Sequence, residues 1–364
     1  MQLIKIWFEK HFNNPQVVIL TMLLLTGFGV IYLFGKMLIP FFAGLIIAYL
    51  LDGLVKQLTT RGMPRFAAII ITFLFFMCIL FFSIFWLVPM LTGQVTQLVQ
   101  QLPVMISETQ NLLLQLPEHY PKFISEEQVF EIFSVIRGEV GKLAQNILSL
   151  SVASVVGLIT LLVYLIIVPL LVFFFLKDKG KILGWFSGFL PRDRSLATKV
   201  WEDVNGQIAN YVRGKTWEII IVWTVTFVVF TLLKLQYSML LGAIVGFSVL
   251  IPYVGAAVAT IPVALVAYFQ WGFESEFIWI LVSYAIIQLL DGNVLAPLLL
   301  AEVVDIHPVA VIAAILVFGG LWGFWGIFFA IPLATLIQAV IRFWPIEDDK
   351  PIPIEPEESA EKAS

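Results

Sequence analysis

The sequence has few of the residues that carry redox or metal chemistry. It contains one cysteine, Cys78, and three dispersed histidines, His11, His119 and His307. A lone cysteine forms no intramolecular disulfide, and histidines this far apart do not match the spacing of a zinc site. The sequence also lacks the G-x-x-x-x-G-K-[ST] loop of ATP-driven transporters. We therefore expect no metal, no cofactor and no nucleotide-driven activity.

Charged residues are scarce as well. They make up 13% of the chain, hydrophobic residues make up 60%, and the mean hydropathy is +0.98, whereas soluble domains carry about 25% charged residues. Several apolar runs reach the roughly 20 residues that cross a membrane as a helix. None shows the alternation of a porin strand. The composition predicts an all-α integral membrane protein in contact with membrane lipid, with no nucleic-acid partner.

Runs of low charge predict about eight transmembrane helices. They lie at residues 16–35, 37–55, 66–91, 151–176, 216–234, 240–270, 277–300 and 308–342. The first run is too long for a signal-peptide core, so we expect it to be retained. An N-terminus in the cytoplasm puts most Lys and Arg residues on the cytoplasmic side, as the positive-inside rule requires. This predicts a multi-pass protein of the bacterial inner membrane with both termini cytoplasmic.

These spans divide the chain into six segments. They are 1–91 with transmembrane helices 1–3, an extracytoplasmic amphipathic helical region at 92–150, transmembrane helix 4 at 151–176, a basic cytoplasmic loop with an interfacial helix at 177–215, transmembrane helices 5–8 at 216–342, and a disordered acidic cytoplasmic tail at 343–364. The tail is Pro-rich and too poor in apolar residues to fold by itself.

Two of these segments mix polar residues with apolar residues at helical spacing. Region 92–150 predicts two or three amphipathic helices, broken at Pro103, Pro117 and Pro121. In the basic loop, an apolar face begins at Leu196 after a capping Ser195. We expect that helix to lie along the inner membrane surface.

Two of the predicted spans are too long and contain helix breakers. Residues 240–270 include "IPYVG", in which Pro252, Tyr253 and Gly255 interrupt the helix, and residues 308–342 include "GGLWGFWG". Backbone groups freed at membrane depth must be buried in protein or line a cavity, and broken helices of this kind mark binding sites in transporters. The alternative is a kink that only serves packing.

Small residues recur at helical spacing in the last span. They are Gly319, Gly320, Gly323 and Gly326. Such small-xxx-small patterns let helices approach closely in lipid. We interpret these glycines as packing or oligomerisation residues.

An aspartate in an apolar run marks the candidate pathway. Asp291 costs about 2.5–3.5 kcal/mol on membrane-insertion scales, which several apolar neighbours offset. Buried intramembrane acids usually face a bundle interior or cavity and mark ion or proton paths. With Gln288 and Asn293 it forms a candidate transport pathway, to which the interrupted segment with Pro252, Tyr253 and Gly255 also belongs. The alternative is a carboxyl group that hydrogen-bonds free backbone amides beside Gly292 and Pro297.

Further polar residues come after this span. Glu302, Asp305 and His307 are expected to form the outer mouth of the pathway, with a solvated loop as the alternative. Asp52 lies in a similar "LLDG" sequence but next to Lys56, where the pairing of charges at a helix end is expected.

The motifs in the second half of the chain resemble those of a known family. "LDGNVLAPLLLAEVVDIHP", "FGGLWGFWGIFFAIPLATLIQAVI", "VPLLVFFFLKDK", "ANYVRGK" and "IPYVG" are similar to motifs of the autoinducer-2 exporter family, in its PerM-type permease branch. The resemblance implies an eight-helix inner-membrane transporter that assembles as a homo-oligomer, with a pentamer expected. It also implies that Asp291, Asn293 and Pro297, with Pro252 and Gly255, belong to the transport core.

Three classes of function are compatible with the sequence. The first is a secondary transporter that exports a small polar solute, such as an autoinducer-2-like signal or another metabolite, with proton or sodium coupling through Asp291; sodium–proton antiport is a variant of it. The second is an intramembrane aspartyl hydrolase using Asp52 and Asp291, which the predicted depths of the two residues disfavour. The third is a non-transporting scaffold that binds a partner through residues 92–150. We therefore expect a transporter and no enzymatic activity.

Overall fold

A computed structural model describes residues 15–114, 126–151, 155–189, 194–252, 254–300 and 306–344. Tyr253, Glu302 and Asp305, for which the sequence predicts functional roles, lie outside these residues. Within them the secondary structure is helical. In chain order the helices are α1 (Pro15–Thr60), α2 (Arg65–Phe82), π1 (Ser83–Leu87), α3 (Val88–Leu113), α4 (Glu126–Ser151), α5 (Val155–Lys177), α6 (Lys179–Gly188), α7 (Ser195–Leu232), α8 (Ser238–Ser248), α9 (Val254–Trp271), α10 (Ser275–Leu290), π2 (Asp291–Leu295), α11 (Ala296–Leu300), α12 (Pro308–Trp322), α13 (Phe324–Phe328) and α14 (Ala330–Phe343).

Helix length and composition confirm an all-α membrane protein. Among the described residues, seven stretches are long and apolar enough to cross a bilayer: Pro15–Gly35, Met37–Thr60, Arg65–Asn111, Thr160–Lys177, Ser195–Leu232, Val254–Trp271 and Ser275–Leu300. The helices α8, α12 and α14 are apolar but shorter. Many large apolar side chains on the long helices are exposed on the protein surface, as lipid-facing residues are.

Two predicted helix boundaries are absent. The first two predicted spans form one 46-residue helix, α1, with no turn between Gly35 and Met37. Likewise, Pro103 lies inside α3 and does not break it, because one proline removes a single backbone donor and bends a helix without having to end it. The predicted breaks at Pro117 and Pro121 lie outside the described residues.

The predicted interfacial helix is part of α7. This helix runs unbroken from Ser195 to Leu232, so the expected surface helix and the following span are one element. Its apolar residues Val200 and Val204 are buried against Val17 of α1 and Ala339 of α14. Their burial in protein satisfies the amphipathic pattern without a membrane surface. That this helix lies along the inner membrane surface stays a prediction.

The predicted span 240–270 is a helical hairpin. Helices α8 and α9 meet around Pro252 and run back along each other, because Gln270 at the end of α9 accepts a hydrogen bond from the backbone N–H of Gln236 (2.8 Å) and donates one to the carbonyl of Lys234 (2.8 Å). Both ends of the hairpin thus lie together, at the Leu232 end of α7. The predicted interruption is confirmed, but the segment returns to the side from which it started.

The last predicted span forms a second hairpin. Gly323 adopts a left-handed backbone conformation (φ 60°) that favours glycine, and α12 and α14 pack on each other on either side of it. Phe318 and Ala330 share one apolar cluster. A Cβ atom at Gly326 would lie 1.8 Å from the carbonyl oxygen of Phe318. Two of the predicted packing glycines, Gly319 and Gly326, therefore allow close approach within this hairpin; Gly320 and Gly323 have open space where a Cβ would be.

Replacing Gly255 with alanine is expected to disrupt the first hairpin. A Cβ atom at Gly255 would lie 1.7 Å from the carbonyl oxygen of Ser248, a backbone atom. Backbone cannot move aside as a flexible side chain can, so we expect a loss of about 3 kcal/mol or more of stability. Thermal unfolding of the purified protein in detergent measures it. Gly93→Ala, in open space on α3, is the control, and equal stability of the two variants would contradict the hairpin packing.

Candidate functional site

Three polar residues of α7 lie on one buried helical face. Tyr211, Lys215 and Glu218 are spaced by four and three residues, which places them in line along a helix. Their exposed fractions are 0%, 3% and 2%. The Lys215 ammonium donates to both carboxylate oxygens of Glu218, at 3.0 and 2.9 Å. An ion pair this deeply buried is costly to desolvate and is rarely retained for stability alone.

Asp291 lies on π2, which packs against the helix α7 that carries this pair. It is the first residue of π2, and it interacts electrostatically with both Lys215 and Glu218. Its exposed fraction is 8%, and Oδ1 is buried with no hydrogen-bond partner among the described residues. Short π segments inside α-helices are frequent at functional sites. We call Tyr211, Lys215, Glu218 and Asp291 the charge cluster.

A polar stripe on α10 leads to the charge cluster. Tyr284, Gln288 and Asp291 succeed each other at intervals of four and three residues, on one face. The Tyr284 hydroxyl donates to the carbonyl of Ala256 at 2.6 Å and lies 3.4 Å from the hydroxyl of Thr260. Both of these partners are on α9, so the polar stripe runs along the contact between α10 and the first hairpin.

The structure separates some residues that the sequence groups with Asp291. Gln288 lies on the buried face, whereas Asn293 and Pro297 are exposed, and the Asn293 amide donates to the carbonyl of its own helix at Leu289. Pro252 and Gly255 lie at the turn of the first hairpin. The pathway role predicted for these residues stays a prediction, and the charged groups that interact with Asp291 are on α7.

The residues before the predicted outer mouth pack against α7. A Cβ atom at Gly214 of α7 would lie 2.5 Å from the carbonyl oxygen of Leu299, and Ile306 packs against the cluster that contains Tyr211 and Val212. Gly214 belongs to the segment expected in the cytoplasm, whereas His307, one residue beyond Ile306, is expected at the outer mouth. Which of the two expectations holds is not decided by these contacts, and the outer mouth stays a prediction.

Asp52 belongs to a different set of charges. Its carboxylate contacts Lys56 at 3.4 Å, as the sequence predicts, and Lys179 of α6 at 2.9 Å. Asp291 interacts instead with Lys215 and Glu218. This separation gives no support to an aspartyl dyad.

A polar cavity, open to the protein surface, lies at the base of the first hairpin. It measures about 270 Å³ and is lined by Gln101, Met105, Gln236, Val266, Phe269 and Gln270. Gln101 belongs to α3, which is anchored nearby where the Gln94 side chain accepts a hydrogen bond from the backbone N–H of Leu240 (2.9 Å). The amides of Gln101 and Gln236 provide donors and acceptors without charge, while the Gln270 amide is held by its hydrogen bonds to the backbone of Gln236 and Lys234.

Sequence reasoning identified only Asp291 among the four residues of the charge cluster. It counted Lys215 among the basic residues of a loop and passed over Glu218, which lies in a predicted span. Two signals were present. An acid inside an apolar run needs a partner, and a lysine three residues earlier on the same helical face provides one.

Long apolar helices, two helical hairpins and a buried charge cluster among the described residues define a polytopic membrane protein built like a transporter. The sequence profile described as AI-2E family transporter matches residues 20–346. The chain belongs to this family.

Individual proteins similar to this chain are also named as transport proteins. The protein named permease PerM in Escherichia coli (strain K12) is 42% identical to this chain over 345 residues. The alignment covers 95% of this chain and 98% of PerM. The protein named transport protein YueF in Bacillus subtilis (strain 168) is 28% identical to this chain. The alignment covers 91% of this chain and 92% of YueF. AI-2 transport protein TqsA of Escherichia coli (strain K12) is 22% identical to this chain, and the alignment covers 91% of this chain and 92% of TqsA. The chain is thus similar to named transport proteins along nearly its whole length.

Proposed function

We propose that the protein is an inner-membrane secondary transporter that exports a small polar solute and couples this export to an ion gradient at Asp291. The observation that carries the proposal is the charge cluster. It combines a buried ion pair with a buried carboxyl oxygen that has no partner among the described residues. Intramembrane ionisable residues of this kind mark ion and substrate paths. The expected homo-oligomer and the cytoplasmic termini are part of the proposal.

The two hairpins support the same function. Residues from both meet at Tyr211: Leu250 at the turn of the first hairpin, and Val311, Phe328 and Ile331 of the second, share its cluster. In secondary transporters, broken helices meet around the binding site, and one part of the bundle moves against the other. An ion bound in the charge cluster would therefore act on the elements whose movement transport requires.

The polar cavity supports a small and uncharged solute. Its volume of about 270 Å³ is slightly below the 300–1,000 Å³ that is typical of ligand pockets. Its glutamine amides suit hydroxyl and carbonyl groups. The relative TqsA carries the name of an AI-2 transport protein, so we include autoinducer-2 among the solutes to be tested.

Reconstitution into liposomes tests the proposal. Purified wild-type protein is placed in liposomes with a trapped pH-sensitive dye, and autoinducer-2 and a panel of small polar metabolites are added with and without sodium. We expect one solute class to trigger proton movement. Sodium-triggered proton movement without any solute would favour the sodium–proton antiporter. No movement of protons or labelled solute under any condition would favour the scaffold that binds a partner.

Replacing Gln101 with leucine is expected to weaken solute binding. The change removes one amide from the polar cavity, and a single hydrogen bond contributes about 0.5–1.5 kcal/mol, so the half-saturating solute concentration should rise about 2- to 10-fold. Gln100→Leu changes the neighbouring residue on α3, which does not line the cavity. An equal effect of both variants, or none of either, would show that the cavity does not bind the solute.

A further inference from the structure

The charge cluster holds more negative than positive charge. With every group ionised, Lys215 contributes one positive charge and Glu218 and Asp291 one negative charge each. The ammonium is committed to Glu218, whose two oxygens both accept from it. Oδ1 of Asp291 has no partner among the described residues. A buried carboxylate without a partner is strongly unfavourable, so the cluster needs one more positive charge.

The groups around Asp291 do not provide it. Helices α7, α10 and α11 pack against π2. The titratable or charged side chains of these helices nearest the site are Tyr211, Lys215, Glu218 and Tyr284. Tyr284 gives its hydroxyl hydrogen to Ala256, and α11 carries no titratable residue. Lys215 is thus the one cation at the site in the part of the chain that the structure describes, and it already pairs with Glu218.

A proton fits this site better than a metal ion. Hard cations are held by about six oxygen ligands, whereas Glu218 is occupied by Lys215. Among the described residues no group of three or more His, Cys, Asp or Glu side chains is placed to hold a metal ion. A proton needs a single oxygen atom, and Oδ1 of Asp291 provides it.

We propose that Asp291 carries one exchangeable proton per chain, and that Lys215 keeps Glu218 ionised so that Glu218 takes no part in the exchange. The proton joins a carboxylate oxygen of Asp291 from water on one side of the membrane and leaves to water on the other. Lys215 keeps all its protons, and no electrons move. The link to export rests on the proposed function, but the protonation of Asp291 does not.

The expected stoichiometry is a consequence of this arrangement. Wild-type protein holds one protonated buried carboxyl group at neutral pH. Asp291→Asn holds none. The Lys215→Met variant leaves Glu218 without its counter-charge. It therefore holds two protonated carboxyl groups, on Asp291 and Glu218. The double variant Lys215→Met/Glu218→Leu removes both members of the pair and holds one, on Asp291.

Infrared difference spectroscopy of the purified full chain tests the proposal. The carbonyl stretch of protonated carboxyl groups is recorded during a pH titration, with the protein labelled with carbon-13 aspartate so that an aspartate band shifts and a glutamate band does not. We expect one band in wild-type protein that shifts with the label. The label assigns the band at neutral pH to an aspartate rather than a glutamate, and loss of the band in Asp291→Asn but not in Asp178→Asn assigns it to Asp291.

Other results would overturn the proposal. A band that does not shift would place the proton on a glutamate, and absence of any band would mean that Asp291 is ionised. Loss of the band when sodium chloride replaces choline chloride at constant pH would assign the site to sodium. An aspartate band in protein that moves no solute would uphold the proton site and refute the proposed function. Solute-triggered proton movement without the band would refute the proton site alone.

Discussion

Liposomes that contain the Asp291→Asn variant are expected to show no solute-triggered proton movement above the background of empty liposomes. Asparagine has nearly the same size and keeps a polar group at Oδ1, so the packing of π2 against α7 should persist. It cannot gain and lose a proton near neutral pH. The measurement is the rate of change of a trapped pH dye after solute addition, compared with wild-type protein at equal protein-to-lipid ratio.

The control for this prediction is Asp178→Asn. Asp178 forms a surface pair with Lys181 at 3.3 Å, and the lysine is largely exposed. Surface pairs contribute about 0–1 kcal/mol, so the variant should transport at the wild-type rate. Full coupled transport by Asp291→Asn would remove Asp291 from the mechanism.

Replacing Lys215 with methionine is expected to destabilise the protein by about 3–5 kcal/mol, because it leaves Glu218 buried without its partner. The double variant Lys215→Met/Glu218→Leu should recover most of this loss. Apolar residues of similar volume often replace a buried ion pair at little cost. The free energy of unfolding in detergent, measured for the two variants and the wild type, tests both statements.

A second ion pair with the same spacing provides the control. Lys142 and Glu139 are also three residues apart, 2.7 Å from each other, but their side chains are 71% and 62% exposed. Lys142→Met should therefore cost about 1 kcal/mol at most. Equal losses for Lys142→Met and Lys215→Met would show that the Lys215–Glu218 pair is not buried in the folded protein.

Local sequence signals were sufficient to predict the helical class and two of the helix breaks. Apolar runs of membrane-spanning length predicted the helical class. Pro252 with Gly255, and the glycines around Gly323, predicted where two runs are interrupted, since these residues remove a backbone donor or favour unusual dihedral angles. Asp291 was found because one acid in an apolar run is expensive.

The direction of the chain after each break could not be predicted in this way. A hairpin that returns and a helix that crosses can have the same composition, and the return of α9 is determined by long-range hydrogen bonds of Gln270 to Lys234 and Gln236. Similarly, Lys215 lies at the end of a basic segment that is typical of a loop. Only the packing of α7 against π2 makes it part of a buried site.

Solute accumulation driven by an imposed pH gradient tests the central claim most directly. Liposomes with wild-type protein are given a pH gradient, and the labelled solute identified in the panel is measured inside and outside over time. The predicted result is accumulation against the concentration gradient of the solute, abolished by a protonophore and absent with Asp291→Asn. Equilibration that stops at equal concentrations, with or without the protonophore, would contradict ion coupling at Asp291.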